Sequence, residues 1–434
     1  MQPLGRELEL RIDCPLGSEA VHSTSIGPSV LLVSEPVTQG VAICVADLAA
    51  AGVEAGWRVT VACPQGGVLS DKARDAGAQF VEVPIRKAPG PWDARSASAI
   101  RRLARGADVI HLHSSKAGAI GRIAMVGLSS PCIYSPHGWS FLMDSAARPM
   151  YLAAERSMAA MTDVIVAASE DEAAVGRSAL GRWGKRIQVI NNGVDINRFR
   201  PASHLELPTR IGARGPLIVC VGRLARQKGQ DVAIRALAAM AHPTARLRLV
   251  GDGAIRPELT QLARVLGVAD RVEYVGDSPR PEDHIREADI VVVPSRWDGM
   301  SLALLEAMAC GAAVIASTVT GSSVVEGAGV LVAPDDPLPL ARAADRLLGD
   351  PVERARLGTS ARARAEVSFD VARTRSQTLD LCSNLAGIDI ITLDKIGGER
   401  DHIRLAPTQT KRRRVSPGHS VDDETLFEGA GGRA

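Results

Sequence analysis

The chain has 434 residues, of which 46% are hydrophobic and only 3% aromatic. This length exceeds one ordinary core and predicts two domains, and the hydrophobic fraction excludes a chain that is disordered throughout. A formal net charge of +2 gives no basis for a nucleic-acid partner. The first residues include acids and no apolar core, and no run of about 18 apolar residues lacks a charge. We therefore expect a cytoplasmic protein with neither a secretory signal nor a membrane span.

After an expected flexible leader (1–28), short β-branched runs alternate with helical stretches rich in Ala, Leu and Arg. The short runs are continuously apolar, which is typical of strands covered on both faces. Because strand–helix–strand units repeat, we predict a parallel sheet and a first Rossmann-like domain over residues 29–198. Its strand candidates are 30–34, 58–64, 78–84, 107–114, 131–138, 163–169 and 186–194.

A stretch with Pro, Gly and charge (195–215) interrupts this pattern and is typical of a linker. A second alternating series predicts another Rossmann-like domain over residues 199–368, and the polar residues 387–434 predict a disordered tail. The expected fold class is therefore α/β, with two parallel-sheet domains facing each other across a cleft. The strand candidates of the second domain are 216–224, 245–253, 271–277, 288–295, 312–317 and 329–334.

The segment VGRLARQKGQD (221–231) places two cations at a strand-to-helix turn. Arg223 follows the predicted strand, and Lys228 precedes the predicted helix. In open parallel sheets, ligands bind at this end of the strands, where helix N-termini offer free N–H groups. The fork of an arginine and the compact charge of a lysine suit a diphosphate. An ordinary solvated basic loop remains the alternative.

The segment PSRWDGMSLALLEAMACG (294–311) places two acids around the start of a predicted apolar helix. Asp298 lies beside the helix N-terminus, and Ser301 is the expected N-cap. Glu306 lies inside the helix, where burying a lone carboxylate is costly unless something hydrogen-bonds to it. A pair of ligand hydroxyls is one candidate partner, and a core arginine is the other.

This segment resembles the acidic signature of the family 4 retaining glycosyltransferases, which have the GT-B architecture of two Rossmann-like domains. The family has two glutamates separated by seven residues, and here the spacing is kept with Asp298 in the first position. Residues 369–381 resemble the family's last helix, so we predict over 369–386 a helix that crosses back to the first domain. The other matching segments are SPHG (135–138), NNGVD (191–195), VGRL…QKG (221–229) and VGDG (250–253).

The resemblance implies transfer of a sugar from a nucleotide diphosphate sugar, UDP- or GDP-linked, with retention at the anomeric carbon and without a metal or other cofactor. Glu306 would bind the ribose hydroxyls, and Asp298 would hold hydroxyls of the donor sugar. Arg223 and Lys228 would stabilise the leaving diphosphate, and His137 would lie near the transferred sugar. The further expected contacts are Gly222, Gly299, Met300, Ser301, Leu302, Gly321 and Ser322 on the donor side, and Gly40 on the acceptor side.

Three positions depart from the family pattern. Asp298 is one methylene shorter than glutamate, Gln39 replaces a glycine of the first loop, and Val324 replaces a later glutamate. The backbone amides of residues 321–323 are still expected to bind a phosphate. The departures keep a non-catalytic nucleotide-sugar-binding protein among the alternatives. A GT-B epimerase or hydrolase and a transferase acting on a small soluble metabolite are the others.

The segment HLHSSKAGAIGRIA (111–124) resembles a stretch common in the branch that builds capsular polysaccharides and exopolysaccharides on polyprenyl-diphosphate lipids. It predicts a glycan or polyprenyl-diphosphate-linked acceptor, with Ser115 and Lys116 on the acceptor side. Residues 82–125 have eight basic and three acidic side chains, which favours peripheral contact with the anionic inner face of the membrane; ordinary solvated helix faces are the alternative. We expect His111 and His113 to be polar strand-end residues, since no third metal ligand is apparent.

Overall fold

The computed structural model describes residues 27–86, 88–143, 145–202 and 215–387. The predicted leader and tail lie outside these ranges, except for residues 27, 28 and 387. Each of the thirteen predicted strands coincides with a strand of the structure, and the α/β fold class is confirmed. Every helix in the described ranges is too short or too polar to cross a membrane.

The first domain is a seven-stranded sheet in the order β3-β2-β1-β4-β5-β6-β7, and all its strand pairs are parallel. Six α-helices connect these strands. The strands are β1 Ser29–Ser34, β2 Arg58–Cys63, β3 Gln79–Glu82, β4 Val109–His113, β5 Cys132–Ser135, β6 Val164–Ala167 and β7 Ile187–Val189. The helices are α1 Gln39–Glu54, α2 Gly67–Asp75, α3 Trp92–Ala104, α4 Ser115–Ala124, α5 Arg148–Ala159 and α6 Glu170–Leu180.

The second domain is a six-stranded parallel sheet in the order β10-β9-β8-β11-β12-β13. The strands are β8 Leu217–Val221, β9 Arg246–Val250, β10 Val272–Gly276, β11 Ile290–Val293, β12 Val314–Ser317 and β13 Val330–Val332. The helices that follow them are α7 Gln230–Ala239, α8 Arg256–Val265, α9 Pro281–Glu287, α10 Leu302–Ala309, α11 Pro337–Gly349, α12 Pro351–Ser368 and α13 Val371–Ala386.

The apolar strands are buried because helices cover both faces of each sheet. In β1, Leu31 and Val33 belong to one core cluster, whereas Val30 and Leu32 belong to another. Successive side chains of a strand point to opposite faces, so a strand with a core on each side must be apolar throughout. This explains why the strand candidates are continuous apolar runs.

Both sheets reverse their strand order once, between β1 and β4 and between β8 and β11. At such a switch point, the loops at the carboxyl ends of the two central strands diverge to opposite faces and leave a crevice that binds ligands. The loops that follow β8 and β11 contain the two predicted donor motifs. The fold therefore brings residues 222–228 and 294–301 together although they are distant in sequence.

The chain passes between the domains at two adjoining places. Val194 donates its backbone N–H to Phe369 (2.8 Å), and Val371 donates to Val194 (3.0 Å). From there α13 packs on α1 and β4, and Leu381 and Cys382 enter the core of the first domain. The last strand of the first sheet ends at Val189, and the first strand of the second sheet begins at Leu217. The exact domain boundary, predicted between residues 198 and 199, stays a prediction.

Candidate active site

A cavity of about 400 Å³ opens between the two domains, at the carboxyl ends of their strands. The first domain lines it with residues 35–41, which connect β1 to α1, and the second domain lines it with Arg223, Lys228 and residues 298–302. Small-molecule sites usually enclose roughly 300–1,000 Å³. The size of the cavity and its position at both switch points make it the candidate active site.

The two predicted cations lie in this cavity. Arg223 follows β8, and its buried Nε has no hydrogen-bond partner among the described residues. Lys228 ends a short 3₁₀ turn and is followed by Gly229, whose φ is 68°. A Cβ at Gly229 would lie 2.0 Å from the carbonyl oxygen of Pro294. Glycine at this position therefore allows the loop after β8 to lie against the end of β11.

Lys228 and Asp298 form an ion pair, with Nζ 2.5 Å from Oδ2. The Asp298 carboxylate also accepts hydrogen bonds from the Ser295 hydroxyl (3.2 Å) and from the Gly299 backbone N–H (3.1 Å). The exposed fractions of the Lys228 and Asp298 side chains are 23% and 13%. The group predicted to bind phosphate and the group predicted to bind sugar are thus direct neighbours.

The N-terminus of α10 completes this side of the cavity. Ser301 occupies the N-cap position, as predicted, although its hydroxyl makes no capping hydrogen bond. The backbone N–H groups in the first turn of α10 therefore have no side-chain cap as acceptor, and their partial positive charge favours the binding of an anion. Met300 and Leu302 also line the cavity, and the Met300 carbonyl accepts a hydrogen bond from Asn192 Nδ2 of the first domain (2.8 Å).

Glu306 lies within α10 and is partly buried. Among the described residues, no group donates a hydrogen bond to its carboxylate. The pKa of Glu306 is raised to about 7, mainly by burial and to a smaller extent by the charge of Glu282, while the charges of Arg198 and Lys228 oppose the shift. Arg198 is the nearby arginine, but it donates to Glu282 (2.9 Å). The structure therefore excludes the alternative that a core arginine among the described residues is hydrogen-bonded to Glu306.

His137 lies on the floor of the cavity in a left-handed backbone conformation, with φ of 52°. Its Nε2 is 3.0 Å from Nδ1 of His113, and the ring of His111 lies against that of His113, with centroids 3.9 Å apart and an interplanar angle of 32°. Burial lowers the pKa of His137 to about 4 and that of His111 to about 3. At neutral pH these imidazoles are uncharged. His111, His113 and His137 thus form a cluster of contacting imidazole rings, which the sequence did not predict.

Glu172 is a residue of this site that the sequence did not indicate. Its side chain is fully buried, and its two carboxylate oxygens accept from the backbone N–H groups of Gly138 and Ala168, both at 2.6 Å. Burial raises the pKa of Glu172, whereas these two hydrogen bonds oppose the shift. Glu172 thereby fixes the loop that holds His137. Nothing in the local sequence distinguishes it from the adjacent surface acids.

The predicted phosphate loop after β12 contacts the first domain instead. The backbone N–H groups of Gly321 (3.0 Å) and Ser323 (3.3 Å) donate to one carboxylate oxygen of Asp171. The Ser322 hydroxyl donates to the carbonyl of Val319 (2.7 Å). The amides do bind an anionic group, but that group is a side chain of the chain itself, and phosphate binding at Gly321 and Ser322 stays a prediction.

Two of the glycines expected on the donor side lie in the loops that follow β8 and β11. Gly299 packs against the first domain, where a Cβ would lie 3.1 Å from the backbone nitrogen of Gly138. Gly222, with φ of 142°, follows β8 immediately before Arg223 and is not among the residues that line the cavity. Gly299 therefore allows the loop after β11 to lie close to the first domain beside the cavity.

On the acceptor side the structure separates the predicted residues. Gly40 lines the cavity and lies against Leu302, where a Cβ would be 3.7 Å from Cδ1. Lys116 is instead ion-paired with Asp93 on α3, at 2.6 Å, and Ser115 contacts the Tyr134 hydroxyl. Neither Ser115 nor Lys116 is among the residues that line the cavity. Lys116 has an acidic partner in the structure, and the acceptor-side role of these two residues stays a prediction.

Within the described ranges, no group of three or more His, Cys, Asp or Glu side chains is arranged to hold a metal ion. The adjacent acids Asp335 and Asp336 lie at a turn between β13 and α11. Asp335 has φ of 59° and pairs with Arg296, and Asp336 caps α11 by accepting from the Leu338 backbone N–H.

Two Rossmann-like domains with parallel sheets that face each other across a cleft define the GT-B class of proteins, and this chain has that fold. Two family models match the chain: a glycosyl transferase 4-like domain over residues 39–193 and a glycosyl transferases group 1 domain over residues 215–350. The chain is also 34% identical over 299 residues to the D-inositol 3-phosphate glycosyltransferase of Nocardiopsis dassonvillei, covering 63% of this chain and 70% of that protein. The enzyme of the same name from Streptosporangium roseum is 33% identical over 303 residues, covering 63% and 68%.

Solved structures share the fold. Anabaena HepE in complex with UDP and glucose has a TM-score of 0.73 at 23% identity, covering 82% of this chain and 100% of that one. Sucrose-phosphate synthase from Thermosynechococcus elongatus has a TM-score of 0.72 at 24% identity, covering 83% and 99%. The chain belongs to the family 4, or group 1, glycosyltransferases and is a transferase enzyme. These curated relatives do not support the predicted capsular and exopolysaccharide branch.

Proposed function

We propose that the protein transfers a glycosyl group from a nucleoside diphosphate sugar to an acceptor hydroxyl, with retention at the anomeric carbon and without a metal or other cofactor. The observation that carries the proposal is the convergence of Arg223, Lys228 and the α10 N-terminus on one cavity beside Asp298. These groups match the two halves of such a donor: cations and amides for a diphosphate, and a carboxylate for sugar hydroxyls.

The reaction develops charge where these groups lie. The bond between the anomeric carbon and the phosphate oxygen breaks, and its electron pair leaves with the diphosphate. The acceptor oxygen forms the new bond to the anomeric carbon, and its proton passes to the departing phosphate. Arg223 and Lys228 stabilise the negative charge that develops, an effect worth about 10²–10³ in rate for one well-placed donor. When Lys228 engages phosphate, Asp298 is released to accept from the sugar.

Glu306 suits the ribose of the donor. Its carboxylate has no hydrogen-bond donor among the described residues and lies one to two helical turns inside α10. Two ribose hydroxyls would donate to it and compensate the burial that raises its pKa.

Attack from the front face, assisted by the leaving phosphate, fits the side chains near the reacting carbon. In this proposal Asp298 accepts hydrogen bonds from the sugar hydroxyls, and the His137 imidazole contacts His113. We therefore assign neither residue the role of a covalent nucleophile. His137 contributes as a neutral neighbour of the transferred sugar.

For the acceptor we propose a small phosphorylated polyol. The names of the relatives, D-inositol 3-phosphate glycosyltransferases, support this choice. A glycan or polyprenyl-diphosphate-linked acceptor is the competing candidate. Contact with an anionic membrane and the cytoplasmic location stay predictions.

The test incubates the full chain with labelled UDP- and GDP-sugars and, in separate arms, D-inositol 3-phosphate, membrane lipid extract or no acceptor. We expect a glycosylated inositol phosphate whose anomeric configuration, read by NMR coupling constants, matches that of the donor. Full activity with EDTA is expected. A sugar altered without any acceptor would indicate an epimerase or hydrolase, and binding without turnover a non-catalytic protein. Product in the lipid arm alone would reinstate the lipid-linked acceptor.

A further inference from the structure

Gln39 is the first residue of α1 and lines the cavity from the side of the first domain. Its φ is 64°, in the left-handed region that residues with a Cβ rarely adopt. Such strain persists only where the surrounding structure fixes it, and it is concentrated at functional sites. His137, another of the four non-glycine residues with positive φ in the described ranges, lines the same cavity.

Packing does not account for a glutamine at this position. The side chain is exposed, and none of the described residues makes a hydrogen bond with it. Glycine would adopt the same backbone conformation without strain. The next residue, Gly40, lies against Leu302 of the second domain, so residue 39 stands beside the contact between the two domains.

We propose that the Gln39 carboxamide hydrogen-bonds a hydroxyl of a polyhydroxylated acceptor and so takes part in acceptor selection; this rests on the function proposed above. The residues assigned to the donor, Arg223, Lys228 and Asp298, all belong to the second domain, whereas Gln39 faces them from the first. A carboxamide both donates and accepts hydrogen bonds, as a hydroxyl does, so the two groups are complementary. Gln39 is therefore a specificity-determining residue on the acceptor side.

The experiment compares Gln39→Gly and Gln39→Ala with the unmodified protein, using D-inositol 3-phosphate and membrane lipid extract as acceptors. We expect the KM for the acceptor to rise about tenfold in both variants, as for the loss of one hydrogen bond. The KM for the donor and the slow hydrolysis of the donor by water should stay unchanged. The melting temperature of Gln39→Gly should not fall, because the substitution relieves the strained conformation.

Asp335→Gly is the matched control, since it removes a side chain from another left-handed position, with φ of 59°, that does not line this cavity. It should leave the acceptor KM unchanged. An unchanged acceptor KM in both Gln39 variants would overturn the role of Gln39 while leaving the proposed function intact. Equal losses in transfer and in donor hydrolysis would mean a structural role and would also overturn it. A wild-type chain that transfers sugar to neither acceptor would refute the proposed function itself.

Discussion

Replacing Lys228 by alanine removes the only side-chain cation that contacts Asp298 among the described residues. Asp298 keeps the hydrogen bonds from the Ser295 hydroxyl and the Gly299 backbone N–H. The pair is partly solvated, with 23% and 13% of the two side chains exposed. The effect on the free energy of unfolding should therefore be about 1 kcal/mol or less, and Lys228→Ala should fold normally.

Turnover should respond far more strongly than stability. If Lys228 stabilises the leaving diphosphate, its loss lowers kcat by about 10²–10³, or about 3–4 kcal/mol of transition-state stabilisation. The measurement is kcat at saturating donor, with the melting temperature as a check on folding. Lys185→Ala, at an exposed lysine of the first domain, is the control and should retain full activity.

A double-mutant cycle with Asp298→Asn separates two roles for Lys228. If the lysine acts on phosphate, Lys228→Ala should still lower kcat by at least tenfold in the Asp298→Asn protein. If it only orients Asp298, the second substitution should have no further effect. A kcat within threefold of wild type for Lys228→Ala alone would refute the phosphate role.

Four further predictions concern Glu306, Asp298 and Asp171. Because burial raises the pKa of Glu306 to about 7, donor affinity should rise as pH increases from 6 to 8, and Glu306→Gln should abolish that dependence. The raised pKa of Glu306 makes folding less favourable as the pH rises, because the carboxyl group must ionise while buried. Without donor, the free energy of unfolding should fall by roughly 3 kcal/mol at most between pH 4.5 and about 7, and this fall should be absent in Glu306→Gln. Asp298→Glu should change donor KM or donor choice in a sugar panel; no change in either would show that Asp298 does not touch the sugar. Asp171→Ala leaves two backbone amides without their acceptor and should lower the free energy of unfolding in urea by about 1–3 kcal/mol, whereas Glu170→Ala, at an exposed acid beside it, should not.

The fold was predictable because its determinants are local. A strand such as β4 needs an apolar side chain on each face, and the sequence displays this requirement directly at Val109, Ile110 and Leu112. Turn glycines mark where the strands end. The two-domain arrangement follows from the repeated alternation of such strands with helices.

The partners of charged side chains were not predictable, because they come from distant parts of the chain. Lys116 was expected to meet a phosphate, yet Asp93 on a neighbouring helix neutralises it. The amides after β12 were expected to meet a phosphate, yet Asp171 of the other domain occupies them. The identity of the opposing group depended on how two helices or two domains pack, which no local pattern encodes.

The path of α13 determines the order in which the protein can be completed during synthesis. Leu381 and Cys382 pack in the same core cluster as Val30 and Leu32 of the first strand. When the ribosome has synthesised the strands of the first domain, two residues of that domain's core have therefore not yet been translated. That core closes only after the second domain has emerged, so a chain truncated before residue 371 should expose an apolar surface on the first domain.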